Sequence, residues 1–176
     1  MKKIVIILAS LILFSCFIFT QTIEEISSQK AFQMLKNPSI YLIDVRSIAE
    51  YVFIGHPEMA YNIPLMFWSE KQQKLISNEN FLTKIESSFK KDDILIFICR
   101  SGGRSLKTAT MVKQSGFLNV FSIKEGFEGV KDEKGYRSIN GWKNNKLPYT
   151  YQMKKKLSYQ KEKESFTEKE TLSSLG

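Results

Sequence analysis

The sequence predicts an α/β fold, a central parallel sheet with helices on both faces. Two observations predict it. Short apolar runs at 40–46, Ile94–Ile98 and Asn119–Ile123 alternate with amphipathic segments of helical period at 81–89 and 105–115. Strands separated by helices pair in parallel, through right-handed crossovers that cover the sheet on each side. No segment repeats, so a single unit is expected.

Residues 1–20 stand outside that unit. Met1-Lys2-Lys3 followed by the apolar run 4–19 has the charged start and apolar body of an export signal. Three endings stay open: cleavage after Thr20, retention as an N-terminal membrane anchor, or lipidation at Cys16, where Leu13-Phe14-Ser15-Cys16 is a degenerate lipoprotein signal. Each places the domain in the periplasm or on the outer face of the cytoplasmic membrane. If Cys16 is lost with the signal, Cys99 is the one remaining cysteine, and an internal disulfide is excluded. Residues 21–150 are long enough for one compact domain. Residues 151–176 are rich in Lys, Glu and Ser, as in a charged, flexible tail.

The elements follow in order. Residues 24–35 have helical character, with Ile26, Ala31, Phe32 and Leu35 on one side, Ser27 or Ser28 as N-cap, and Asn37-Pro38 as the stop. Residues 40–46 read as a short buried strand with a charged end, Asp44-Val45-Arg46, and Ser47 then caps a short helix through Tyr51 and Val52. Met66 and Phe67 are expected in the core, with Trp68 left open as a pocket rim, and residues 69–80 are polar and loop-like. Asn80 is placed to cap a helix over 81–89 that buries Leu82, Ile85 and Phe89. A strand at Ile94–Ile98 runs into a helix from Ser105, with Leu106, Ala109, Met111 and Val112 inward and Gly116 as its stop. A last strand at Asn119–Ile123 precedes Glu125-Gly126-Phe127-Glu128-Gly129. Residues 131–140 form a polar insertion before Gly141-Trp142.

The chemistry concentrates at Cys99-Arg100-Ser101-Gly102-Gly103-Arg104-Ser105, between that strand and its helix. Two consecutive glycines let the backbone turn sharply, so that main-chain N–H groups and the positive end of the following helix converge on one spot. Such a cradle suits an anion. A cysteine at its mouth, flanked by Arg100 and Arg104, sits where thiols are reactive. Of the four arginines (Arg46, Arg100, Arg104, Arg137), two lie in this loop and one ends the strand at 40–46, whereas lysines fill the surface. The net charge of +8 is scattered and accompanied by no nucleic-acid motif, so no nucleic-acid partner is expected. With one histidine and no acidic cluster of ligand spacing, neither a metal nor a cofactor is implied.

Cys99 to Arg104 resembles the active-site loop of the rhodanese family, in which a cysteine opens a glycine-rich loop that ends in arginine. Asp44-Val45-Arg46, Glu50-Tyr51, Gly55-His56 and Ala60-Tyr61-Asn62-Ile63-Pro64 follow the family's order, and the similarity runs from about Ile40 to Gly129. It implies a rhodanese-like fold and a sulfurtransferase. On that resemblance Cys99 would take a sulfane sulfur from a small anionic donor such as thiosulfate, or from a persulfide. It would then pass the sulfur to a thiol, a protein acceptor or cyanide, with residues 100–105 holding the persulfide. Asp44 would grip loop N–H groups or an arginine fork, Arg46 would face the pocket and favour an anionic donor, and Gly126 and Phe127 would lie near it. His56 is read as a structural turn residue rather than a base. Two rivals differ: a non-turnover sulfur carrier or docking module for an exported redox partner, and a cysteine phosphatase or arsenate reductase, which needs a longer loop.

Overall fold

The computed structural model describes residues 22–153. The export signal, Cys16 and the tail beyond 153 lie outside the described residues. Five strands form one parallel sheet: β1 (Glu24–Ile26), β2 (Ile40–Asp44), β4 (Tyr61–Asn62), β7 (Ile94–Ile98) and β8 (Asn119–Ile123), in the spatial order β1-β8-β7-β2-β4. The chain steps from β2 to β4 on one side, then crosses back over β2 to β7 on the other. The crevice at the strand ends between β2 and β7 is therefore a topological switch point, where ligand sites form in open α/β sheets.

The central strand β7 is an unbroken apolar run because it is covered on both sides. Leu95, Phe97 and Cys99 point to the layer that holds α3 (Phe81–Ser88) and α4 (Gly103–Gln114), packing with Phe81, Ile85, Ala109 and Val112. Ile96 and Ile98 point to the opposite layer, with Ala31 of α1 (Ser28–Met34), Tyr51 of α2 (Ile48–Phe53) and Trp142 of α5 (Gly141–Asn144). Every one of these side chains is buried, and the side-chain period of two divides them between the layers. The predicted α/β architecture with helices on both faces is what the structure has.

Several local expectations change. Residues 24–26 form β1 rather than the start of a helix, because pairing with Phe121–Ile123 gives their backbone groups partners that an isolated helical turn would lack. The helix begins at Ser28, with the Ser27 hydroxyl accepting from Lys30 N–H at 3.2 Å. The segment 69–80 is not a loop: β5 (Met66–Ser69) and β6 (Lys74–Ser77) form an antiparallel hairpin that pairs Trp68 with Leu75. Its turn places Gln73 at φ 50°, a left-handed position that Gly or Asn would normally announce. Met66 and Phe67 are accordingly half-buried on this hairpin rather than in the core. The insertion at 131–140 holds a second hairpin, β9 (Val130–Lys131) and β10 (Arg137–Ile139). Asn80 stands at the N-cap of α3 without a capping side-chain bond; its own N–H donates to Asn78 Oδ1 instead. The remaining strands, β3 (His56–Pro57) and β11 (Tyr149–Thr150), pair antiparallel.

Candidate active site

The site begins where β7 ends. Cys99 follows the last β7 residue, and α4 starts at Gly103, two residues earlier than the sequence pattern indicates, so Gly103, Arg104 and Ser105 are its first turn. The loop proper is therefore Cys99 to Gly102. Cys99 is 1% exposed. Its Sγ accepts the Gly102 N–H at 3.2 Å and lies 3.5 Å from Ser105 Oγ. Ser105 Oγ donates to the Gly102 carbonyl at 2.7 Å and receives a bond from Ser122 Oγ at 3.1 Å. A buried hydroxyl chain thus runs from β8 to the Gly102 carbonyl beside the sulfur, and the helix dipole of α4 adds its positive end.

Two glycines are required here for the same reason, a left-handed φ and a Cβ position already filled by backbone. Gly102 has φ 98°, and a Cβ there would lie 1.9 Å from the Lys124 carbonyl oxygen. At Gly126 a Cβ would meet the Cys99 carbonyl oxygen at 2.5 Å and the Arg100 carbonyl carbon at 2.6 Å. The backbone of the segment after β8 therefore lies directly on the loop. Phe127 N–H donates to the Cys99 carbonyl at 2.8 Å and Glu128 N–H to that of Arg100 at 2.9 Å. These bonds occupy the outward carbonyls, which leaves the loop's inner side to the sulfur.

The arginines divide in role. Arg100 is exposed on the mouth of the pocket, and its side chain makes no hydrogen bond or ion pair with another described residue. Arg104 is committed: Nη1 and Nη2 hold Glu50 Oε2 and Oε1 at 2.9 and 2.5 Å, joining α4 to α2. Glu50 also closes a capping box, accepting from the Ser47 N–H at 3.1 Å and hydroxyl at 3.0 Å. Burial would push the Glu50 carboxyl up, but Arg104 and Ser47 together overcome it and hold the carboxyl at about 2. Glu50's hydrogen bonds in turn raise the Arg104 guanidinium above its ordinary value.

Arg46 departs from expectation most. It does not face the pocket. It is fully buried with Asp44, its Nε 2.9 Å from Oδ1 and its Nη2 2.6 Å from Oδ2, while Nη2 also donates to the Gly55 carbonyl at 2.8 Å. The guanidinium stacks 4.4 Å from the centroid of Phe127. Burial works against its charge, and Asp44 more than restores it, so its pKa lies above the ordinary arginine value. Asp44 and Arg46 thus support the loop through Phe127 rather than bind a donor. The reason is local: the Arg46 N–H and side chain both fold back onto the carboxylate two residues earlier. Asn62 fixes the same segment, its amide donating to the carbonyls of Asp44 and Arg46 at 3.0 Å each. His56 lies in the core against Tyr51, ring centroids 3.5 Å apart, and does not line the pocket.

The cavity over Cys99 has a volume of about 850 Å³. Its floor is Cys99, Arg100, Ser101, Gly103 and Arg104; one wall is the start of α2, from Ser47 to Glu50, and the other is Phe67, Trp68 and Leu75 of the β5–β6 hairpin. Sequence reasoning missed Glu50 as a partner of the loop, although the Ser47-x-x-Glu50 capping signature was visible. Trp68, left open as a pocket rim, does line the cavity; Phe67 and Leu75 beside it, and Ser122, were missed, and no local signal marks them.

A rhodanese-like domain profile matches residues 27–133, and the chain belongs to that family. An uncharacterized protein of Rickettsia rickettsii is 34% identical over 131 residues, covering 74% of this chain and 99% of that one. The senescence-associated protein DIN1 of Raphanus sativus is 38% identical over 85 residues, 48% of this chain and 45% of its own. Among solved structures, the crystal structure of Rv0390 from M. tuberculosis superposes with a TM-score of 0.63 at 29% identity, covering 75% of this chain and 100% of that one. The polysulfide-sulfur transferase homodimer of Wolinella succinogenes shares the fold, with a TM-score of 0.50 at 21% identity over 73% of this chain and 78% of its own.

Proposed function

We propose that the protein is a sulfurtransferase working through a Cys99 persulfide. The observation that carries this reading is the sulfur's position: Cys99 Sγ lies at the floor of the cavity, accepts the Gly102 N–H, and stands at the start of α4 beside an uncommitted Arg100. In the first half-reaction the Cys99 thiolate attacks the sulfane sulfur of thiosulfate. An S–S bond forms to Cys99, the donor's S–S bond breaks, and its electron pair leaves with sulfite. In the second, an acceptor thiolate or cyanide attacks the outer sulfur, and the electron pair of the persulfide bond returns to Cys99. The outer sulfur is anionic, and fixed N–H donors and the helix dipole offset its charge without reorganising. No general base is needed once the thiolate is the nucleophile.

Intact-protein mass spectrometry after thiosulfate treatment tests it. A one-sulfur gain is expected in the wild type and absent in Cys99→Ser, reversed by cyanide or a thiol. A folded, reduced protein that gains nothing from thiosulfate or a persulfide donor overturns the reading. The charged and apolar residues 1–20 support the further proposal that this chemistry takes place outside the cytoplasmic membrane. Recovery of the protein in the cytosolic fraction of its cell would contradict that.

A further inference from the structure

Resting on the sulfurtransferase reading, we infer that the β5–β6 hairpin makes the cavity a subsite for the apolar body of an organic sulfane-sulfur compound, with Trp68 and Leu75 as specificity-determining residues. Thiosulfate is a handful of heavy atoms, whereas a cavity of about 850 Å³ matches a ligand with a substantial organic body. The wall facing Cys99 is apolar. Trp68 and Leu75 are direct cross-strand partners and so present one surface, yet they stay 58% and 43% exposed, far more than Trp142 or Leu42 in the core. Ile48 and Ala49 add apolar side chains to the lining from the α2 wall.

Charge narrows the class. Arg104 is neutralised by Glu50 within the lining, so one uncommitted guanidinium, Arg100, remains at the mouth among the described residues that line the cavity. One cation beside an apolar wall complements a singly charged sulfur group on an aromatic or branched apolar body, rather than a small dianion. An arenethiosulfonate has this form. The Cys99 thiolate attacks its sulfane sulfur, the S–S bond breaks, and the arenesulfinate leaves with the electron pair, giving the same persulfide as thiosulfate gives.

The test compares kcat/KM for benzenethiosulfonate, methanethiosulfonate and thiosulfate, with cyanide as acceptor, in the wild type, Trp68→Ala and Leu75→Ser. Both positions are exposed, so both variants are expected to fold. The inference expects the aryl donor to exceed the methyl donor by roughly tenfold or more in the wild type. It expects that ratio to collapse in Trp68→Ala and fall in Leu75→Ser. Equal use of the two thiosulfonates, or an aryl preference that survives both substitutions, overturns the subsite while leaving the sulfurtransferase reading intact. Failure of all three donors to load Cys99 overturns the subsite, and failure of a persulfide donor as well removes the sulfurtransferase reading.

Discussion

Gly102 and Gly103 are adjacent in sequence and opposite in consequence. Gly102 combines φ 98° with a Cβ position 1.9 Å from the Lys124 carbonyl oxygen, so alanine there must move backbone. Gly102→Ala is expected to lower stability by about 2–4 kcal/mol in urea unfolding and to abolish persulfide formation, since the N–H that meets the sulfur moves with it. At Gly103 a Cβ would meet nothing within 4 Å, and the residue is helical. Gly103→Ala should be neutral or stabilising by up to about 1 kcal/mol. Equal loss in the two variants would show that the loop needs glycine for some reason other than this packing. Both glycines are conspicuous in the sequence, but Lys124 is not, and the difference between them comes from its carbonyl.

At the scale of elements, the Arg104–Glu50 fork joins the first turns of α4 and α2 and so sets the width of the site. Glu50→Gln leaves the Arg104 fork without its carboxylate and weakens the capping box at Ser47; a loss of about 1–3 kcal/mol is expected. The pH dependence gives an independent check. The Glu50 carboxyl is held at about 2 in the folded chain against an ordinary 4.5. Its contribution to stability is therefore complete above 4.5 and disappears as pH falls towards 2. Urea midpoints of the wild type should decline across that window, and part of the decline should vanish in Glu50→Gln. An unchanged profile in the variant would remove the fork from the stability of the site. Ser47-x-x-Glu50 was legible as a helix start. Its partner 54 residues away was not, because a capping signature says nothing about what lies across the crevice.

At the scale of the whole molecule, the Asp44–Arg46 pair sits where β2, the Gly55 turn and Phe127 meet, all at the strand ends that open on the site. Replacing Arg46 by leucine strands a buried carboxylate. A loss of about 3–5 kcal/mol is expected in chemical denaturation, and the double change of Asp44 to asparagine and Arg46 to methionine should recover much of it. If Arg46→Leu unfolds at the wild-type denaturant concentration, the pair is not what holds this corner. The sequence by itself determined the alternation of strands and helices, the site cysteine with its turn and helix start, and the family. These are local matters: an apolar run, a glycine pair and a cap each act within a few residues. Tertiary structure alone decided which arginine remains uncommitted, since Arg46 is spent on Asp44 and Arg104 on Glu50. It alone also raised the Trp68–Leu75 wall, since strand pairing across a turn without glycine is set by what the hairpin packs against. Charge partners and cavity walls belong to residues that only the folded chain brings together, and the character of this site follows from them.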